Sequence, residues 1–153
     1  MNTARLVAIR RPRAGFTLLE LLVVLVIIGL LAGLVGPQLF GRVDASKVQT
    51  ADAQVRMLRS AVQTFRLDVG RLPTEEEGLS VLYRPPEDPQ AQARWQGPYL
   101  DEDVPLDPWD NPYRYSIPGR DGQPFALYSL GADGRPGGEG HDADIGFLPP
   151  DGN

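Results

Sequence analysis

Residues 16–35 form an apolar run whose only formal charge is Glu20, and the run follows a segment holding Arg5, Arg10, Arg11 and Arg13 and no acid. A basic start before an apolar stretch first suggests a secretory signal peptide. Two details disagree. The run is about twenty residues long, whereas a signal-peptide core is about 7–15. Gly33, Gly36 and Pro37 follow it without a small-x-small cleavage pattern. Length and polarity therefore predict a retained transmembrane helix over 16–36, matched to the ~30 Å hydrocarbon layer. The arginines before it predict a cytoplasmic N-terminus by the positive-inside rule.

The remainder of the 153 residues is enough for one domain. The net charge of −5 sums a basic end and an acidic body: residues 70–153 carry sixteen acids against six arginines. Phosphate recognition needs a basic footprint, so nucleic acid is excluded as a partner. The absence of cysteine removes disulfide frameworks, thiolate metal sites and cysteine nucleophiles. Walker, dinucleotide-binding, HExxH and GxSxG motifs are also missing, and no convergent set of nucleophile, base and oxyanion donors replaces them. The expectation is a non-enzyme.

From Leu18 to about Asp68 the pattern is helical, interrupted at Gly33, Gly36 and Pro37, where a kink or a locally melted stretch is expected. Beyond Pro37, Val48, Ala51, Val55, Leu58, Val62 and Phe65 recur at spacings of three and four. Such a stripe serves either core packing against the following domain or a partner groove. Gly70 is a helix stop. The half after it is rich in glycine and proline and is built from short elements. Thr74 and Glu77 form a capping-box signature leading a short helix toward Leu82. Residues 83–96 read as an irregular loop. Strands are expected weakly at Tyr99-Leu100, and more firmly at 113–117 and 125–130, the last two joined by a hairpin connection at 118–123. Trp95, Tyr99, Trp109, Tyr113, Tyr115, Phe125 and Tyr128 are the expected aromatic core. The fold class is α+β: a long N-terminal helix, half transmembrane (16–36) and half amphipathic (37–69), packed on a small antiparallel sheet in a loop-rich domain at 70–153.

Gly15-Phe16-Thr17-Leu18-Leu19-Glu20 resembles the processing site of the type IV pilin-like family, which includes the pseudopilins of type II secretion. Arg71-Leu72-Pro73-Thr74 to Gly78-Leu79, and Gly97-Pro98-Tyr99-Leu100 followed by Pro105 to Tyr115, resemble the signatures of the major pseudopilin family, with Asp110 in place of the usual glycine. The resemblance runs from about Arg13 to Ile145. It implies that residues 1–15 are a leader cut by a prepilin peptidase between Gly15 and Phe16, and that Phe16 is then N-methylated. It also implies a single-pass inner-membrane subunit of a Gram-negative bacterium. That subunit would leave the membrane for a periplasmic homopolymer, with minor pseudopilins and an inner-membrane assembly platform as partners, and growth of the filament would drive folded exoproteins through the outer-membrane channel. Within that frame Glu20 has a physical role. A carboxylate in an apolar span is costly and otherwise sits at headgroup level; in a filament a neighbour's new amine at Phe16 can neutralise it. A type IV pilus subunit is the alternative within the family, although many of those close their C-terminal region with a disulfide. A membrane-anchored calcium-binding protein is the alternative outside it.

Residues 129–145 alternate acids and glycines. By composition they are either a loop for a hard cation, since Ca²⁺ takes six to eight oxygens, or a solvated acidic turn. The spacing is not that of an EF-hand. The major pseudopilin family has a calcium loop in this place, which implies Ca²⁺ held by Asp133 and by the carbonyls of Leu130 and Arg135. Asp142 is the next ligand implied, Asp144 either ligates or caps the loop, and Glu139 stays outside. His141, the only histidine, reads as an exposed loop residue without partners for zinc or catalysis.

Overall fold

The computed structural model describes residues 16–151, leaving out the side chains of 34–42. Residues 1–15, the expected leader, with Gly15 on one side of the expected cut, therefore lie outside the described residues. A single helix, α1, runs over Leu18–Val69 and stays helical through Gly33 and Pro37, so no melted stretch interrupts it. It stops where Gly70 takes a φ of +86° and its N–H closes back on Arg66 O at 2.9 Å. By internal contacts the chain divides into two units, Met1–Phe40 and Gly41–Asn153.

In the first unit the large apolar side chains from Phe16 to Leu31 are all exposed. One expectation fails here: among the described residues no helix is long and apolar enough to cross a membrane. Glu20 stands in the first turn of α1. The transmembrane half of the helix, and the single-pass inner-membrane placement that rested on it, do not stand.

In the second unit Ala51, Val55, Leu58, Val62 and Phe65 are all fully buried, which decides the stripe in favour of core packing; Val48, at its end, is only half-buried. The stripe is covered by a three-stranded antiparallel sheet in the order β1-β2-β3: β1 is Arg114–Ser116, β2 is Ala126–Ser129 and β3 is Ile145–Phe147. Arg114 pairs with Tyr128, and Leu127 pairs with Phe147 on its other side. Leu58, Phe65, Leu82, Tyr113, Phe125 and Leu127 are among the side chains that close the core. The hairpin connection forms as expected, Gly119 N–H donating to Gln123 O at 3.0 Å.

Between α1 and β1 the local expectations are partly overturned. The Thr74 capping box is made: Thr74 N–H donates to Glu77 Oε2 (2.9 Å) and Glu77 N–H to Thr74 Oγ1 (3.2 Å). It caps only a turn, because Gly78 adopts a φ of +56°; a 3₁₀ turn at Ser80–Leu82 follows in place of a helix. The stretch expected to be irregular contains α2, Pro89–Gln92, opened by Asp88, whose carboxylate accepts from Ala91 N–H at 2.8 Å. Tyr99-Leu100 forms no strand; Tyr99 N–H makes a single bond to Leu82 O (2.7 Å) and its ring packs edge-on against Phe65 and Trp95. Trp109 and Tyr128 stay outside the core, Trp109 lying near Lys47 Nζ instead.

Candidate functional site

Two regions carry the residues singled out by sequence. At the start of α1, Thr17 and Glu20 cap each other. Thr17 N–H and Oγ1–H donate to Glu20 Oε2 (2.9 and 3.1 Å), while Glu20 N–H donates to Thr17 Oγ1 (3.2 Å). This satisfies donors that a helix start leaves unpaired and puts negative charge at the positive end of the helix dipole. The role of Thr17 was overlooked in the sequence, although Thr17-x-x-Glu20 is the same signature as Thr74-x-x-Glu77. The arrangement also holds the Glu20 carboxylate one turn from Phe16, in an exposed position with no neighbouring positive charge given to it by its own fold among the described residues.

The second region is the loop that leaves β2 at Ser129 and returns as β3 at Ile145. Its two limbs are cross-linked by Ala132 N–H to His141 O (2.9 Å), Asp144 N–H to Gly137 O (3.1 Å) and Gly137 N–H to Asp144 Oδ2 (3.0 Å). Only glycine serves at 131: φ is +67°, and a Cβ there would sit 2.7 Å from Ala143 O. Asp133 is exposed and its Oδ1 accepts from Arg135 N–H at 3.0 Å, a tight local turn. Leu130 is buried, whereas Arg135 and Glu139 are exposed. Asp142 is half-buried and lies 3.8 Å from His141 Nε2. Asp144 Oδ1 is buried and has no hydrogen-bond partner, alone in this among the buried side-chain oxygens and nitrogens of the described residues. Among the described residues no group of three or more His, Cys, Asp or Glu stands ready to hold a metal ion, so Asp133, Asp142 and Asp144 are not gathered into one such cluster. His141 lies exposed, as its sequence context indicates.

A long helix, exposed and apolar in its first unit and packed by its second on a small antiparallel sheet with a long structured loop, defines a pilin-like filament subunit. The likeness is direct: the major pseudopilin from the type 2 secretion system of enterohaemorrhagic Escherichia coli superposes with a TM-score of 0.58 at 34% identity, over 72% of this chain and 93% of that one. Type II secretion system core protein G of Pseudomonas aeruginosa is 44% identical over 137 residues, 90% of this chain and 96% of that protein. That of Vibrio cholerae is 41% identical over 136 residues, 89% and 92% of the two chains. The family described as Type II secretion system (T2SS), protein G matches residues 38–147, and the Prokaryotic N-terminal methylation motif matches residues 10–36. The chain belongs to the T2SS protein G family. It functions as a major pseudopilin, a structural subunit of the secretion pseudopilus that works with the secretion machinery, and it is not an enzyme.

Proposed function

We propose that the chain is cut by a prepilin peptidase between Gly15 and Phe16, N-methylated at Phe16, and assembled through its first unit into a homopolymer. Minor pseudopilins and the secretion assembly platform are its partners, and growth of the filament moves folded exoproteins. The exposed apolar surface from Phe16 to Leu31 carries this reading. A helix that is apolar all round is stable only when buried, and copies of itself can bury it. Glu20 then serves as a register device: its carboxylate, one turn below the amine created at Phe16, is neutralised by a neighbour's amine only when the copies are correctly stacked. Mass spectrometry of the mature protein should find methylated Phe16 at its N-terminus. An intact Met1, or a cut beyond Pro37, overturns the proposal.

For the 129–145 loop the ligand proposed is Ca²⁺, held by Asp133, Asp142 and Asp144 with the carbonyls of Leu130 and Arg135. The donors are all oxygens, which suits a hard cation. The support is Asp144 Oδ1: a buried carboxylate oxygen without a partner is costly, and a cation would satisfy it. Since no three side chains form a ready group, the carbonyls must supply part of the shell. Bound there, the ion would supply a cross-link between the loop's limbs. Chelator should lower the melting temperature of the full chain, and calcium should restore it; an unchanged transition counts against the metal.

A further inference from the structure

Asp107 is 3% exposed, a buried carboxylate in the proline-rich turn of the Pro105 to Tyr115 signature. Its Oδ1 accepts from Trp109 N–H (3.0 Å) and Asn111 N–H (2.8 Å), which closes its own turn. Its Oδ2 does something else. It accepts from Ser129 Oγ at 2.5 Å, across twenty-two positions of sequence, and Ser129 is fully buried at the end of β2. A serine hydroxyl has one proton, and that proton goes to Asp107; the oxygen is thereby turned to accept Gly131 N–H at 3.1 Å. One carboxylate thus orients both residues that flank Leu130. The locked corner at Gly131 is also where the returning limb passes, since a Cβ on Gly131 would meet Asp142 and Ala143 within 3 Å. The same turn touches the loop again, because the Asn111 side chain lies beside Gly134.

A turn that needed only closing could use an exposed aspartate, as Asp133 does. Burying the carboxylate costs several kcal/mol unless it is fully hydrogen-bonded, and here the extra bond reaches the calcium loop. We propose that Asp107 is a positioning residue for that loop, acting through Ser129 to hold the limb that carries Leu130 and Asp133. The proposal rests on the calcium reading given above, and the test separates the two.

Asp107→Asn keeps an oxygen for the Trp109 and Asn111 amides and removes the acceptor for Ser129; Ser129→Ala cuts the relay at its other end. Calcium binding to the full chain is measured by calorimetry for the parent, each variant and the double variant. Amide hydrogen exchange is followed in chelator. Residues that orient a metal-bearing segment typically change affinity 10–100-fold, so each single variant should weaken calcium binding by about tenfold or more. The double variant should be no weaker than the worse single, as expected for two residues in one relay. In chelator, exchange should quicken at Gly131 and Ala132 while the amides of Leu58, Val62 and Phe65 keep their protection. Parental affinity in both variants overturns the positioning role and leaves the calcium reading intact. Quickened exchange throughout α1 also overturns it, by showing a general loss of stability. If the parent takes up no calcium, the metal reading falls, and localised exchange at Gly131 and Ala132 then upholds Asp107 as the residue that positions the limb.

Discussion

Arg71 and Glu77 form a two-point ion pair, Nη1 to Oε2 and Nη2 to Oε1 both at 2.7 Å, immediately after α1 ends. The pair is largely shielded, with side-chain exposures of 34% and 17%, and the same carboxylate accepts Thr74 N–H. The motif that resembles a family signature is therefore a clamp on the turn that leads out of the helix.

The Arg71 guanidinium, with Thr74 adding to it, holds the Glu77 carboxyl below the usual carboxylate range. A carboxyl depressed on folding stabilises above its unfolded pKa of about 4.3 and loses that contribution as pH falls through the lower, folded value. Arg71→Ala should cost about 1–2 kcal/mol at pH 7, allowing for solvent screening of a pair that is partly exposed. In urea titrations the difference between variant and parent should shrink as pH drops below about 4. A difference that is equal at pH 7 and pH 3 would show that the arginine acts through packing alone.

Phe65 and Leu67 are two residues apart on α1 and face opposite ways, Phe65 fully buried and Leu67 83% exposed. Phe65→Ala should destabilise the protein by about 3–5 kcal/mol, the cost of lost burial and a residual cavity. Leu67→Ala should stay within about 0.5 kcal/mol. Chemical denaturation of the two variants checks the helix orientation in one comparison.

Asp110, where the family signature has glycine, has a φ of +67°. Aspartate tolerates the left-handed region better than most residues but still at some cost. Asp110→Gly should be neutral or stabilising by up to about 1 kcal/mol, whereas a β-branched Asp110→Val should destabilise by more than about 1 kcal/mol. Thermal melts of both variants decide the point; a loss of stability in the glycine variant would mean the Asp110 side chain has a partner of its own.

Glu20→Ala removes the carboxylate that caps the start of α1 and leaves the core at Gly41–Asn153 untouched. Near-ultraviolet circular dichroism should be unchanged, while filaments counted by electron microscopy should be lost. Filaments formed at the parental level would refute the register role.

Much of the fold is legible in the sequence, and where it is not the reasons are physical. The stripe from Ala51 to Phe65 was readable because helical period and burial coincide there. Both Thr-x-x-Glu caps were readable in principle, since each is made within three residues. β3 was missed: three residues long with Gly146 at its centre, it has no strand signal and exists because Leu127 and Ser129 pair with it. The helix expected after Thr74 failed because Gly78, four residues from the cap, turns the backbone left-handed before a second helical turn can form. In the loop, the acids and glycines were visible but their arrangement was not. Asp144 proved to be tied to Gly137 with one oxygen left buried, while Asp133 turned outward to cap Arg135.

By itself the sequence determined what depends on near neighbours: the long helix, its buried stripe, the caps, the hairpin connection and the family signatures. Periodicity, capping and turn chemistry are set by residues a few positions apart. Tertiary structure alone decided which polar group is buried, which short segment becomes a strand and which aromatics reach the core. Those outcomes come from contacts between distant residues. Asp107 is an ordinary turn aspartate until folding brings Ser129, twenty-two positions away, to its second oxygen.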